Sequence, residues 1–213
     1  MKDHRKLRVG LYGGTFSPPH LGHLHAAREF AKALDLDRLV IMPANIPPHK
    51  RVSHFVDGET RLELCRLTFG SIECAEISDF EIKKEGVSYT VETLRHMAAA
   101  DTELFMLCGD DMFLTLDTWR CAEEIFSLTA VVCMRRYLTD VTPLLLKKAE
   151  YEEKYGARVY FIDESAYPVS STEIRERLTA GESCEGLLHG AAEEFILENG
   201  IYAQTDKGSV TYE

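Results

Sequence analysis

Short apolar runs recur along the chain at Leu7–Tyr12, Leu39–Met42, Leu104–Cys108, Ala130–Met134 and Val159–Ile162, each of strand length and each nearly continuous. Between them lie stretches whose apolar residues return every three or four positions. These predict helices over Leu21–Leu34, Thr60–Phe69, Thr90–Ala99, Trp119–Phe126, Leu144–Tyr155, Ser171–Ala180 and Ala191–Asn199.

Strands alternating with helices at this spacing require crossover connections, because parallel neighbours cannot be joined by a tight turn. The expected fold is α/β, a doubly wound parallel sheet of Rossmann-like kind in one domain spanning residues 1–213. No repeat or low-complexity tract interrupts it. The segment Pro43–Asp57 is too rich in Pro and His for a regular element and reads as a long functional loop.

Composition adds limits. A formal net charge of −11 argues against general affinity for nucleic acid or an anionic membrane, so an anionic ligand has to meet a locally basic site. The six cysteines are scattered without a CxxC pair, mostly among apolar residues, which suits reduced thiols and a cytoplasmic location. The N-terminal KDHRKLR leads straight into a short strand, so neither a signal peptide nor a membrane span is expected.

The densest chemistry sits in GGTFSPPHLGH, Gly13–His23. Ligands of open parallel sheets bind beyond the carboxyl ends of the strands, near the switch in strand order. Gly13 and Gly14 fall at the end of the first strand, where the missing Cβ atoms permit a sharp turn and let backbone N–H groups approach a phosphate. His20 and His23, three apart, project from one face of the following helix start, with Gly22 leaving room for a ligand against the backbone. Two imidazoles there can donate to phosphate oxygens and stabilise a transition state richer in oxyanion charge. A simple strand-to-helix turn or part of a metal site would contain the same residues, although no third metal ligand stands nearby; the dinucleotide GxGxxG pattern is absent.

Further along, Ser170 or Ser171 can cap a helix, Ser170 with Glu173 having capping-box spacing, and Arg175 lies one turn beyond Ser171. Hydroxyls, free N–H groups and a guanidinium can therefore converge on one anion. Ser88 or Thr90 can cap the helix that follows VSY. Carboxylates at the end of LFMLCGDD, Asp110 and Asp111, can accept from ribose hydroxyls, with Asp111 the better helix cap. From Ala44 to His54 no acidic residue occurs, while Lys50, Arg51 and two histidines do.

Together these segments resemble the nicotinate-nucleotide adenylyltransferases of the HxGH nucleotidyltransferase superfamily. GGTFSPPHLGH resembles the GGTFDPxHxGH signature, VSYTVETLR the SYTxxTL pattern, GD at Gly109–Asp110 the GxD motif, and VSSTEIRERL the ISSTxIR motif; the closing LLHGAAEEFILENGIY resembles LVPxxVxxYIxxxGLY. The resemblance implies that Gly13, Gly14, Thr15, Phe16, Gly109, Asp110, Ser171 and Thr172 bind ATP and that His20, His23 and Arg175 act on its phosphates. It implies that Lys50, Ser88, Tyr89, Thr90, Trp119 and Arg135 bind the mononucleotide, with Trp119 stacking on the pyridine ring and the segment around Thr90 offering N–H groups to its carboxylate.

The implied reaction moves AMP from ATP to nicotinate mononucleotide, giving deamido-NAD and pyrophosphate, with Mg²⁺ carried mainly by the ATP phosphates and no protein metal cage. Partners would be small molecules, with a homo-oligomer left open. The pattern departs at Ser17 for Asp, at Arg136–Tyr137 where RPG has Pro–Gly, and at His189 for Pro. A serine at 17 is expected to keep the local turn by accepting from the backbone N–H two residues on. Other readings are a nicotinamide-mononucleotide or phosphopantetheine adenylyltransferase, a non-catalytic nucleotide-binding regulator, and, weakened by the absent GxGxxG, an oxidoreductase.

Overall fold

The computed structural model describes residues 5–47, 56–135, 140–163, 167 and 169–203. Six parallel strands run β1 Leu7–Gly14, β2 Arg38–Pro43, β3 Ala75–Ile77, β4 Thr102–Gly109, β5 Thr129–Met134 and β6 Val159–Ile162, in the spatial order β3-β2-β1-β4-β5-β6. β1 pairs on one side with β2 (Gly13 opposite Met42) and on the other with β4 (Leu11 opposite Met106), so the strand order reverses between β1 and β4.

The expected five strands are all present, and β3 is the addition. Its three residues are only half shielded, so it carries no apolar run to betray it. The helices are α1 Leu21–Ala33, α2 Gly58–Phe69, α3 Phe80–Lys84, α4 Thr90–Met97, α5 Asp110–Leu114, α6 Ala122–Leu128, α7 Thr142–Tyr155, α8 Ser171–Ala180 and α9 Gly190–Glu198. The short α3 and α5 offer too few turns for a visible period. Trp119 does not open a helix as expected; it ends a 3₁₀ turn at Leu116–Thr118, and α6 starts three residues later.

Central strands are covered on both faces, which is why they read as continuous apolar runs. Val9, Leu11, Leu104 and Met106 pack under α4 to α7 through Leu94, Phe113, Phe126 and Tyr151. Tyr12, Ile41, Phe105 and Leu107 pack under α1 and α2 through Ala27, Phe30 and Phe69. A third cluster joins the C-terminal helices to α2, with Ile174 and Ile196 fully buried beside Leu64; truncating either to Ala removes contacts worth about 2–5 kcal/mol. That cluster sets the C-terminal helices beside the start of α1, where Leu21 N–H donates to Leu187 O, between α8 and α9, at 2.9 Å.

Candidate active site

At the carboxyl ends of β1 and β4 a cleft of about 1110 Å³ opens, lined among others by Gly13–Ser17, His20, His23, Ser88–Thr90, Gly109–Asp111, Trp119, Ser170–Thr172 and Arg175. The expected catalytic and ATP-binding residues therefore meet in one place, and so do Ser88, Tyr89, Thr90 and Trp119. Arg135 stands apart from this lining, at the end of β5 and ion-paired with Asp163. Lys50, like Arg136 and Tyr137, lies outside the described residues.

The turn differs from expectation. Gly13 and Gly14 stay in β1, paired with Met42 and Pro43, and the chain reverses at Phe16, whose φ is +48°, followed by a cis peptide between Ser17 and Pro18. Gly14 is needed for a different reason: a Cβ there would sit 2.8 Å from the Phe16 ring. Gly22 likewise makes room for protein instead of ligand, since its Cβ would lie 3.0 Å from Val169 and 3.1 Å from the His20 ring.

His20 is the N-cap of α1. Its Nδ1 accepts the His23 N–H at 3.2 Å, and the His23 Nδ1 accepts the His20 N–H at 3.2 Å, a reciprocal capping box made of two imidazoles. The rings stack with centroids 3.6 Å apart. Because each Nδ1 is an acceptor, a neutral ring holds its proton on Nε2, so both histidines offer Nε2–H as a donor. This tautomer was not readable from the spacing.

Ser17 is buried at 2% exposure and bonds Tyr202 Oη at 2.9 Å. The local turn expected for it does not form, because the residue two positions on is Pro19, which has no N–H. Burial drives the Tyr202 hydroxyl up to about 12, so it stays protonated. Arg175 Nη1 donates to Ser17 O at 2.8 Å and Nη2 to Thr172 Oγ1 at 3.1 Å, while Ser171 Oγ donates to Pro18 O at 2.8 Å. Ser170 is the cap of α8, accepting from Glu173 N–H at 3.1 Å.

The other caps also differ. Tyr89 precedes α4 and no side chain caps that helix; Ser88 Oγ instead accepts the Asn45 N–H at 2.9 Å. Gly109 precedes α5, so neither Asp110 nor Asp111 is its cap, and Asp110 is buried against the cleft. Two charged side chains that the motifs did not single out also line the cleft. The Arg120 guanidinium lies 4.4 Å over the Tyr89 ring. Glu81 is 9% exposed; burial raises its carboxyl above the ordinary range, against bonds from the Thr93 and Ser88 hydroxyls that lower it. Arg61, fully buried on α2, sits behind the cleft, and its signal was available: it shares the buried stripe of that helix with Cys65, Thr68 and Phe69.

Around His20, His23, Thr172 and Arg175 the side-chain donors are imidazoles, a hydroxyl and a guanidinium, which suit an anion. Among the described residues no group of three or more His, Cys, Asp or Glu is placed to hold a metal ion.

Comparison with known proteins agrees with this geometry. The family described as cytidylyltransferase-like matches residues 11–177. Curated relatives named probable nicotinate-nucleotide adenylyltransferase include one from Clostridium botulinum, 36% identical over 92% of this chain and 98% of its own, and one from Desulfatibacillum aliphaticivorans, 34% identical over 92% and 100%. Among solved structures, the Plasmodium falciparum nicotinic acid mononucleotide adenylyltransferase complexed with NaAD superposes with a TM-score of 0.74 at 15% identity, over 92% of this chain and 97% of that one; the fold is shared. The chain belongs to the cytidylyltransferase-like family and, within it, to the family of the nicotinate-nucleotide adenylyltransferases.

Proposed function

We propose that this protein transfers the adenylyl group of ATP to nicotinate mononucleotide, forming deamido-NAD and releasing pyrophosphate. The observation that carries the reading is the reciprocal His20–His23 cap, which directs the proton of both neutral rings to Nε2 within a cleft that also holds Ser171, Thr172 and Arg175. The mononucleotide phosphate attacks the α-phosphorus of ATP, the bond to the bridging oxygen breaks, and pyrophosphate leaves with the electron pair. An ionised phosphate needs no general base, so the protein contributes alignment and charge stabilisation.

In this reading His20 and His23 donate to the oxygens of the reacting phosphates, and Arg175 with the Thr172 hydroxyl holds the leaving pyrophosphate, while the Ser171 hydroxyl, donating to Pro18 O, fastens α8 to the turn. Asp110 takes the adenosine ribose. Magnesium would be held by the triphosphate oxygens and water and would supply charge neutralisation there, while the protein donors at that end serve the anion itself. Trp119 and Tyr89 both line the cleft and in this reading receive the flat pyridine ring, near the α4 N-terminus, whose first turn has no side-chain cap. The N–H groups of that helix end, with Arg120, whose charge is shared with Glu92 at 3.8 Å, support the acid mononucleotide in this reading.

Among the described residues no helix is long and apolar enough to cross a membrane. All six cysteines are unpaired, which supports a reducing compartment, and our reading is a cytoplasmic enzyme. The test is pyrophosphate release from ATP and Mg²⁺ with nicotinate mononucleotide, nicotinamide mononucleotide or phosphopantetheine, each beside His23→Ala. Turnover preferring the nicotinate substrate and lost in the variant supports the reading; no turnover with any of the three refutes it.

A further inference from the structure

Arg61 takes a cation into the interior. Its side chain is fully shielded, and its guanidinium reaches backbone carbonyls from separate parts of the chain: Nε to Val56 O at 2.9 Å, Nη1 to Thr15 O at 3.0 Å and Ala44 O at 2.6 Å, and Nη2 to Asn45 O at 3.4 Å. A buried charge is costly unless its donors are met, and an apolar side chain would usually serve a plain scaffold as well. The carbonyls it meets have a location in common. Thr15 belongs to the turn that leads to His20 and His23, Ala44 and Asn45 leave β2 beside it, where Ala44 N–H donates to Gly14 O at 2.9 Å, and both Thr15 and Ala44 line the cleft.

The segment after β2 is tied on its far side to the segment ahead of α4. Asn45 N–H donates to Ser88 Oγ at 2.9 Å, Asn45 Nδ2 to Gly86 O at 3.0 Å, and Ser88 N–H to Ile46 O at 2.9 Å. Ser88 and Thr93 in turn donate to the buried Glu81 carboxylate. A continuous path of bonds thus runs from the phosphate-binding turn through Arg61 and residues 44–46 to Ser88, next to Tyr89 and Thr90. In-line transfer demands that attacking and attacked atoms be held about 3–3.5 Å apart and aligned, and a misplacement of about 1 Å can cost roughly 10²-fold in rate.

We infer that Arg61 is a positioning residue for adenylyl transfer: through the carbonyls of Thr15, Ala44 and Asn45 it locks the ATP-phosphate turn onto the segment after β2 that is bonded to the Ser88 side of the cleft. It touches neither substrate. The inference rests on the adenylyltransferase reading above.

The test is Arg61→Lys, which keeps the charge but offers one nitrogen in place of a planar fork, with Arg61→Met as the second variant because an apolar replacement of similar length folds where a buried ammonium fails. Both are assayed per folded molecule. The expected result is a kcat lowered about 10²-fold and a raised KM for nicotinate mononucleotide, with the KM for ATP within about twofold of wild type, because the adenosine end is held from β4. A split of this kind is not produced by instability alone. Unchanged constants in the folded variant, or both KM values moving together, overturn the inference. Quenching of Trp119, the single tryptophan, by the mononucleotide separates the two failures: a wild type that neither turns over nor quenches sinks the adenylyltransferase reading and the inference with it. A wild type that turns over beside an unaltered Arg61→Lys sinks the inference alone.

Discussion

His20 and His23 each accept the other's backbone N–H through Nδ1 at 3.2 Å, so one pair of bonds both starts helix α1 and orients two imidazoles. Structural and chemical roles can therefore be separated by substitution. Asn is a strong N-cap. His20→Asn should retain the cap, changing stability by less than about 1 kcal/mol, while removing the Nε2–H donor and lowering kcat about 10²–10³-fold. His20→Ala should lose both. Thermal melts beside pyrophosphate-release kinetics check this; an active His20→Asn would refute the donor role.

The hydrogen bond between the Ser17 and Tyr202 hydroxyls closes the C-terminal segment over the turn. Tyr202→Phe leaves the buried Ser17 hydroxyl without that partner and should cost about 1–3 kcal/mol. Ser17→Ala in the same background should recover part of the loss, giving a positive coupling in a double-mutant cycle by urea denaturation. Strict additivity would show that the two hydroxyls do not interact.

Glu81 predicts a pH effect. Burial raises its folded-state pKa above the ordinary 4.5. Between that value and the folded pKa the native state keeps a proton that the unfolded chain has lost. Its contribution to stability is therefore full below pH 4.5 and declines as pH rises through the folded pKa. Denaturation of wild type and Glu81→Gln across this range should show the wild-type-minus-variant stability falling with pH; a flat difference contradicts the raised pKa.

Tyr151 is fully buried away from the cleft, yet its hydroxyl donates to Phe113 O at 2.7 Å and accepts the Asp117 N–H at 3.3 Å, fastening the 3₁₀ turn that ends at Trp119. Lys147 adds an ion pair to Asp117 at 2.8 Å. Tyr151→Phe should raise the KM for the mononucleotide more than that for ATP and alter Trp119 fluorescence. Equal effects on both substrates would place Tyr151 in general stability.

Much of this was legible in one dimension. Fully covered strands such as β5 produce continuous apolar runs, and the boundaries of β6 and α8 fell where the pattern put them. Half-shielded β3 and the short α3 and α5 left no period to read. The caps were harder. Ser88 has the composition of a helix cap, but its hydroxyl is taken by Asn45, 43 positions away, and a local rule has no term for a distant competitor.

The sequence by itself determined the alternation of strands and helices, the parallel sheet, and the residue types gathered for an anionic nucleotide, because these depend on periodicity and on short motifs within one turn. Only the tertiary structure decided that Arg175 reaches Ser17 across 158 positions, that Gly22 accommodates the His20 ring, and that Arg61 meets carbonyls of Thr15 and Ala44. Burial patterns specify which face of an element is shielded from water; the partner that a shielded donor finds is set by how the elements pack.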